Sequence, residues 1–217
     1  MTLPYCLNIH PGETLADIRD AIGRHALAVK ARVSPDAPYP LGLRLSAAAA
    51  REPAEPPALD AFKDLLARHD LFVTGINGFP YGTFHNTAVK TAVYQPDWAD
   101  PERLAYTARL ATLLAALLPE GRAGNISTVP LGYKAAPAAT PPAVRLRQLA
   151  IMAEFLHDLR QKTGREIILA LEPEPDCRLE DNHDPVAWFE DDLLHEAVRW
   201  LIANRRRTPP APEPLPH

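Results

Sequence analysis

Five short apolar segments, beginning near residues 5, 41, 71, 125 and 167, constrain this chain more than any other feature, because a stretch with helical spacing fills every interval between them. Parallel strands need a crossover of a dozen or more residues, so strands joined through helices lie parallel and their crossovers are right-handed. The series predicts an α/β fold, wound as a doubly wound sheet or as a barrel. The turn after the first strand tips the choice. His10-Pro11-Gly12-Glu13 is not the glycine-rich turn of a dinucleotide site, which favours the barrel.

Local patterns place each element. Residues 5–9 form a strand, and Thr14, with Asp17 three residues on, caps a helix over residues 15–32 whose Leu15, Ile18, Ile22, Ala26, Val29 and Val33 share a face. Strand two is 41–45. After a loose stretch from 47 to 57, a helix puts Leu59, Phe62, Leu65 and Leu66 on one side. Strand three is 71–77, and the twenty or so residues to Trp98 carry no periodicity, as a lid or binding loop would. Phe79, Tyr94 and Trp98 are expected to pack within it. Asp100 and Pro101 open the next helix, with Leu104, Ala108, Ala111, Leu114 and Leu118 inward. Strand four is 125–129. Thr140 with Pro141 repeats the capping device before a helix through Leu149, Met152, Phe155, Leu156 and Leu159, which Gly164 closes. Strand five, 167–171, is an unbroken apolar run and reads as buried on both faces. Asp184 and Pro185 start a last helix with Phe189, Leu193, Val198 and Leu201 facing inward.

Composition excludes several classes. With 27 acidic and 23 basic residues there is no basic footprint for a nucleic acid, so none is expected as a partner. No stretch has the length of a membrane span, and Met1 is not followed by the charged and apolar regions of a secretory signal. Cys6 and Cys177 are the only cysteines, and they lack metal-ligand spacing. That pattern suits a reducing cytoplasm. Proline is abundant, at 24 residues. Several fall in the segment 205–217, which opens on three arginines and reads as a disordered tail after a folded unit spanning 1–204.

Polar residues recur where the strands end, which in a parallel barrel is one face. Glu172 and Glu174 follow strand five, held there by Pro173 and Pro175, which cannot donate to a ladder. A carboxylate at this position suits a hard divalent metal or a general base. Glu172 is therefore the candidate metal ligand, and Glu174 and His85 are the candidate proton-moving groups. His10, Asn77, Tyr81 and Lys134 complete the set as residues expected to contact a small-molecule substrate.

Three of these stretches, Pro4-Tyr5-Cys6-Leu7-Asn8-Ile9-His10-Pro11-Gly12-Glu13-Thr14, Asn77-Gly78-Phe79-Pro80-Tyr81-Gly82-Thr83-Phe84-His85 and Leu171-Glu172-Pro173-Glu174-Pro175, resemble the EboE-type metabolite traffic proteins. These belong to the xylose-isomerase-like barrels, and the likeness runs from about residue 2 to 200. It implies a xylose-isomerase-like (β/α)8 TIM barrel, the handling or export of a metabolite, and a divalent metal (Mn2+, Mg2+ or Zn2+) with Glu172 as one ligand. The alternative it implies is a metal-dependent isomerase or epimerase acting on a sugar or sugar phosphate. The superfamily's other ligands, an aspartate, a histidine and a second glutamate, come from strands six to eight, whereas five units are read here. A partial barrel has two unpaired edges and an incomplete metal site. The chain is accordingly expected to be a truncated product, its tail arising through a changed reading frame, that self-associates or recruits a partner through those edges.

Overall fold

The computed structural model describes residues 3–54, 56–83, 90–135, 140–181 and 183–204. The tail 205–217 and His85 lie outside them. Five strands, β1 (Tyr5–Cys6), β2 (Tyr39–Arg44), β3 (Leu71–Asn77), β4 (Gly124–Thr128) and β5 (Ile167–Leu171), form one sheet in the order β1-β2-β3-β4-β5. Every pairing is parallel. A doubly wound sheet reverses direction at a switch point. This sheet never reverses, which is compatible with part of a βα barrel.

Helices fill each interval: α1 (Leu15–Ala21) and α2 (Leu27–Val33), α3 (Pro56–Arg68), α4 (Pro101–Leu117) and α5 (Pro142–Thr163), with α6 (His183–Ala187) and α7 (Val198–Asn204) after β5. They cover one face of the sheet. Leu41, Leu43, Val73, Ile76 and Ile126 are all but sealed from water there, packed with Phe62, Leu110, Leu113, Leu114 and Trp98 in the core. The register sets Cys6, Gly42, Gly75, Asn125 and Ile168 in one row across the sheet, and Arg44, Asn77, Ser127 and Ala170 in the next. A cavity of about 520 Å3 is lined by Cys6, Gly42, Thr74, Gly75, Asn125 and Ile168. Leu43, Ile76 and Pro4 also line it, and Asn77, Ser127 and Glu172 lie at its strand-end side.

Several sequence expectations need correction. Strand five is not buried on both faces, since Ile168 is 53% exposed. Among the described residues β5 pairs only with β4, and Ile168 opens onto the 520 Å3 cavity instead of a packed layer. The first strand is two residues long. Beyond Cys6 the chain tightens into a 3-10 turn over Leu7–Ile9, where His10 N–H donates to the Leu7 carbonyl, and Ile9 is left outside.

The first helix keeps its cap: the Thr14 hydroxyl accepts from Asp17 N–H, and the Asp17 carboxylate accepts from Thr14 N–H. Its apolar face drifts. A π turn over Ile22–Ala26 separates α1 from α2 and widens the spacing, so Lys30 follows Ala26 onto the buried side and Val33 is 62% exposed. A second π stretch, Trp188–Ala197, lies between α6 and α7 and has the same effect. Trp188 and Leu193 pack against the core while Phe189 and Val198 are about half exposed. At α5, Pro141 itself occupies the cap position, leaving Thr140 one residue too early, and no side chain caps the helix. Gly164 does end α5 in the left-handed conformation, at φ 69°.

The described residues of the segment after β3 have structure of their own. Phe79 and Trp98 are buried, a 3-10 turn spans Lys90–Tyr94, and Arg103 of α4 ties the ends together. Its guanidinium donates to the carbonyls of Pro96 at 2.7 Å, Gly78 at 2.8 Å and Phe79 at 3.2 Å.

Candidate functional site

The C-terminal ends of β3 and β5 and the turn after β1 meet around a second cavity, of about 290 Å3, lined by Asn8, Asn77, Phe79, Pro80, Val93, Tyr94, Glu172 and Glu174. Each wall has a local cause. Asn8 comes from the turn that cuts β1 short. Asn77 closes β3, and its side-chain oxygen accepts from Phe79 N–H at 3.0 Å, which bends the chain over the cavity. Val93 and Tyr94 come from the turn that follows residues 84–89. Glu172 is the first residue past β5, still donating its N–H to the Thr128 carbonyl at 3.1 Å, so its position is set by the last rung of the ladder. Glu174 N–H donates to the Leu179 carbonyl, and the Glu174 carbonyl accepts from Cys177 N–H, each at 3.1 Å.

The electrostatics single out Glu172. It is half-buried, and burial pushes its carboxyl above the ordinary carboxylate value. The Ser127 hydroxyl, donating to that carboxylate from the end of β4, pulls the other way, and the charge of Glu174 adds to the rise. Tyr94 is raised to about 12, by burial first and then by its hydrogen bond with the Cys177 thiol. Its ring stacks on Tyr133 at 5.6 Å and meets Phe79 edge-on at 5.7 Å. The side-chain oxygen of Asn8 is buried and has no hydrogen-bond partner among the described residues. An orphaned acceptor of this kind is costly unless something supplies it with a donor.

Of the residues singled out in the sequence, the structure brings Glu172, Glu174 and Asn77 together. It takes three others elsewhere. The His10 ring stacks on His25 with centroids 4.0 Å apart, its Nε2 lies 2.7 Å from the Tyr5 hydroxyl, and it borders a separate void of about 10 Å3. The Tyr81 hydroxyl donates to Glu102 at 2.7 Å, and its ring packs edge-on against Tyr106. Lys134 pairs with Glu180 in water, both side chains being about half exposed. His85 lies outside the described residues. Sequence reasoning missed two walls of the cavity, Asn8 and Tyr94, and Ser127, which stands behind Glu172. The position of Asn8 beside the first strand's end was the available signal.

A divalent cation is what the sequence resemblance implies here. Carboxylate and amide oxygens are the right donors in kind. They are short in number: two carboxylates line the cavity, and no group of three or more His, Cys, Asp or Glu suited to a metal occurs among the described residues. No chemical step is derived through a metal.

The fold and site together define a parallel α/β protein with a polar cavity at the carboxyl ends of its strands. Comparisons with protein-family models, with curated proteins and with solved structures each found no match. Among the described residues no helix is long and apolar enough to cross a membrane.

Proposed function

We propose that this chain is a metabolite-handling protein of the EboE type, built on the xylose-isomerase-like barrel plan, and that it holds a small metabolite between Glu172, Glu174, Asn77 and Asn8. The observation that carries this reading is Glu172 itself: a half-buried carboxylate with a raised proton affinity, lining both the 290 Å3 cavity where strands end and the 520 Å3 cavity. Perturbed carboxylates in concave sites mark binding and catalysis more often than structural roles. The volume sits at the small end of ligand pockets, about 300–1,000 Å3, and suits a compact metabolite. Asn77 contributes its side-chain amide N–H groups, since its oxygen already serves Phe79.

The test is binding of a small-metabolite panel to the full chain by calorimetry, with Glu172→Gln and Asn77→Ala as site variants and Lys134→Ala as a surface control. Binding that weakens tenfold or more, about 1.4 kcal/mol, in the first two and not in the control supports the reading. Equal binding by all four proteins overturns it.

A metal-dependent sugar isomerase or epimerase is the second reading. It is favoured by one observation, that Glu172 and Glu174 line the same cavity and the charge of one raises the proton affinity of the other. In this reading the pair would hold the cation, which would polarise a substrate oxygen. Mn2+ titration separates the two: stoichiometric Mn2+ lost in Glu172→Ala supports the isomerase, and no retained Mn2+ speaks against it.

A further inference from the structure

We infer that the cavity at the strand ends selects an amine-bearing polyol over the phosphorylated form of the same molecule, an inference that rests on the cavity being a metabolite site. The charged groups of the walls are acceptors, beside the amide N–H groups of Asn77. An ionised carboxylate offers about four lone-pair sites and no donor. For Glu172, the Ser127 hydroxyl fills one of these. Glu174 adds a second carboxylate to the same wall, and the Asn8 side-chain oxygen is a buried acceptor without a partner among the described residues. A ligand that satisfies these groups brings N–H and O–H donors, and an ammonium brings three together with the charge that two carboxylates favour.

Phe79 and Tyr94 supply the complementary walls. The Tyr94 hydroxyl is engaged with the Cys177 thiol, so Tyr94 offers the cavity its ring, and aromatic rings attract cations. Among the described residues no basic one lines the cavity, and three from the strand ends, the loops after them and α4 are committed elsewhere: Lys134 to Glu180, Arg44 to Glu13 and to the carbonyls of Gly12 and Gly82, and Arg103 to three carbonyls. A phosphate placed here would face carboxylates across a few ångströms. At that range like charges repel by a kcal/mol or more, so the phosphorylated form is disfavoured on the order of tenfold.

The experiment uses the full chain and two matched series, Tris, glycerol and glycerol 3-phosphate, and glucosamine, glucose and glucose 6-phosphate, with binding followed through the NMR resonances of Asn8, Asn77 and Glu172. The expected order within either series is amine, then neutral, then phosphate, about tenfold between the ends, collapsing to less than threefold in Glu172→Gln with Glu174→Gln. A phosphate form that binds as well as the amine overturns the inference while leaving a metabolite site in place. Should none of the six probes move those resonances, the metabolite-site reading falls, and the charge preference falls with it.

Discussion

Asp97 and Arg145 meet at 2.9 Å with side chains 7% and 6% exposed, joining the loop before α4 to the first turn of α5. Arg145 also donates to the Leu131 carbonyl at 3.1 Å, and Asp97 accepts from Ala99 N–H at 2.6 Å. The pair is locked in from a third side. A side chain at Gly132, where φ is 139°, would drive its Cβ into the Asp97 carboxylate. Removing one partner of such a pair strands a buried charge, so Asp97→Ala is expected to destabilise the fold by about 3–5 kcal/mol. Replacing both with apolar residues, Asp97→Leu with Arg145→Met, should recover much of the loss. Urea denaturation measures both, and a single-variant cost below about 1 kcal/mol would show that water reaches the pair.

Glu172 gives the pH prediction. Burial holds its carboxyl above the ordinary 4.5, against the pull of the Ser127 hydrogen bond and with help from the Glu174 charge. An acid raised in the folded state binds more protons there than in the unfolded chain between its two pKa values. Stability contributed by that group is therefore present below 4.5 and lost as pH rises through the folded value. Glu172→Gln removes the loss, so its melting temperature should match the wild type near pH 4 and exceed it progressively towards neutrality. Ser127→Ala deletes the bond to the ionised form and should move the Glu172 titration higher still. Carboxyl 13C NMR reads that shift directly. A lower pKa in Ser127→Ala would refute the assignment of that hydrogen bond.

The features legible in the sequence were those with short-range causes. Leu71–Asn77 is a strand at the expected residues because alternating burial and a flanking turn define it locally. Thr14 with Asp17, Asp100 with Pro101, and Gly164 are caps whose geometry spans only a few residues. The site was half legible for the same reason: Glu172 and Glu174 stand directly after an apolar strand, and Asn77 ends another. The rest depended on distance. Whether Ile168 is buried is set by what lies beside β5, and the π turns at Ile22–Ala26 and Trp188–Ala197 shift faces that a 3.6-residue period assigns otherwise. Arg44, Arg103 and Arg145 are buried charges whose partners lie up to 48 residues away, and no local pattern distinguishes them from surface arginines.

Two glycines should respond in opposite directions. Gly78 N–H donates to the Ser127 carbonyl at 3.0 Å, and a Cβ there would sit 2.9 Å from that same oxygen and 2.8 Å from Leu110 Cδ1. Backbone cannot yield as a flexible side chain does, so Gly78→Ala should part the ends of β3 and β4 and cost about 1–3 kcal/mol. Because Ser127 is the partner of Glu172, the same variant should also disturb the Glu172 titration. Gly23 lies exposed in the π turn with nothing within 4 Å of its added Cβ. Gly23→Ala should therefore stabilise the fold by about 0.5–1 kcal/mol. Thermal melts of the two variants test the contrast, and a stabilised Gly78→Ala would contradict the register at the β3 and β4 ends.

Arg103 decides how firmly the cavity's aromatic wall is held. It is fully buried, its donors reach the carbonyls of Gly78, Phe79 and Pro96, and its guanidinium lies 5.5 Å from the Tyr106 ring and 6.0 Å from that of Tyr81. These carbonyls bracket the segment that carries Phe79, Val93 and Tyr94 into the cavity. Arg103→Ala leaves them without donors and is expected to cost about 3 kcal/mol or more, since each buried unsatisfied group carries about 1–3 kcal/mol. Lysine should not rescue it. A single ammonium cannot reproduce a planar fork that reaches two ends of a loop. The sharper readout is local: in Arg103→Lys, amide hydrogen exchange should accelerate at residues 90–98 while the amides of β2 and the first half of β3 stay protected. Uniform acceleration across the sheet would mean that Arg103 supports the core as a whole, and that the aromatic wall of the cavity is held by some other contact.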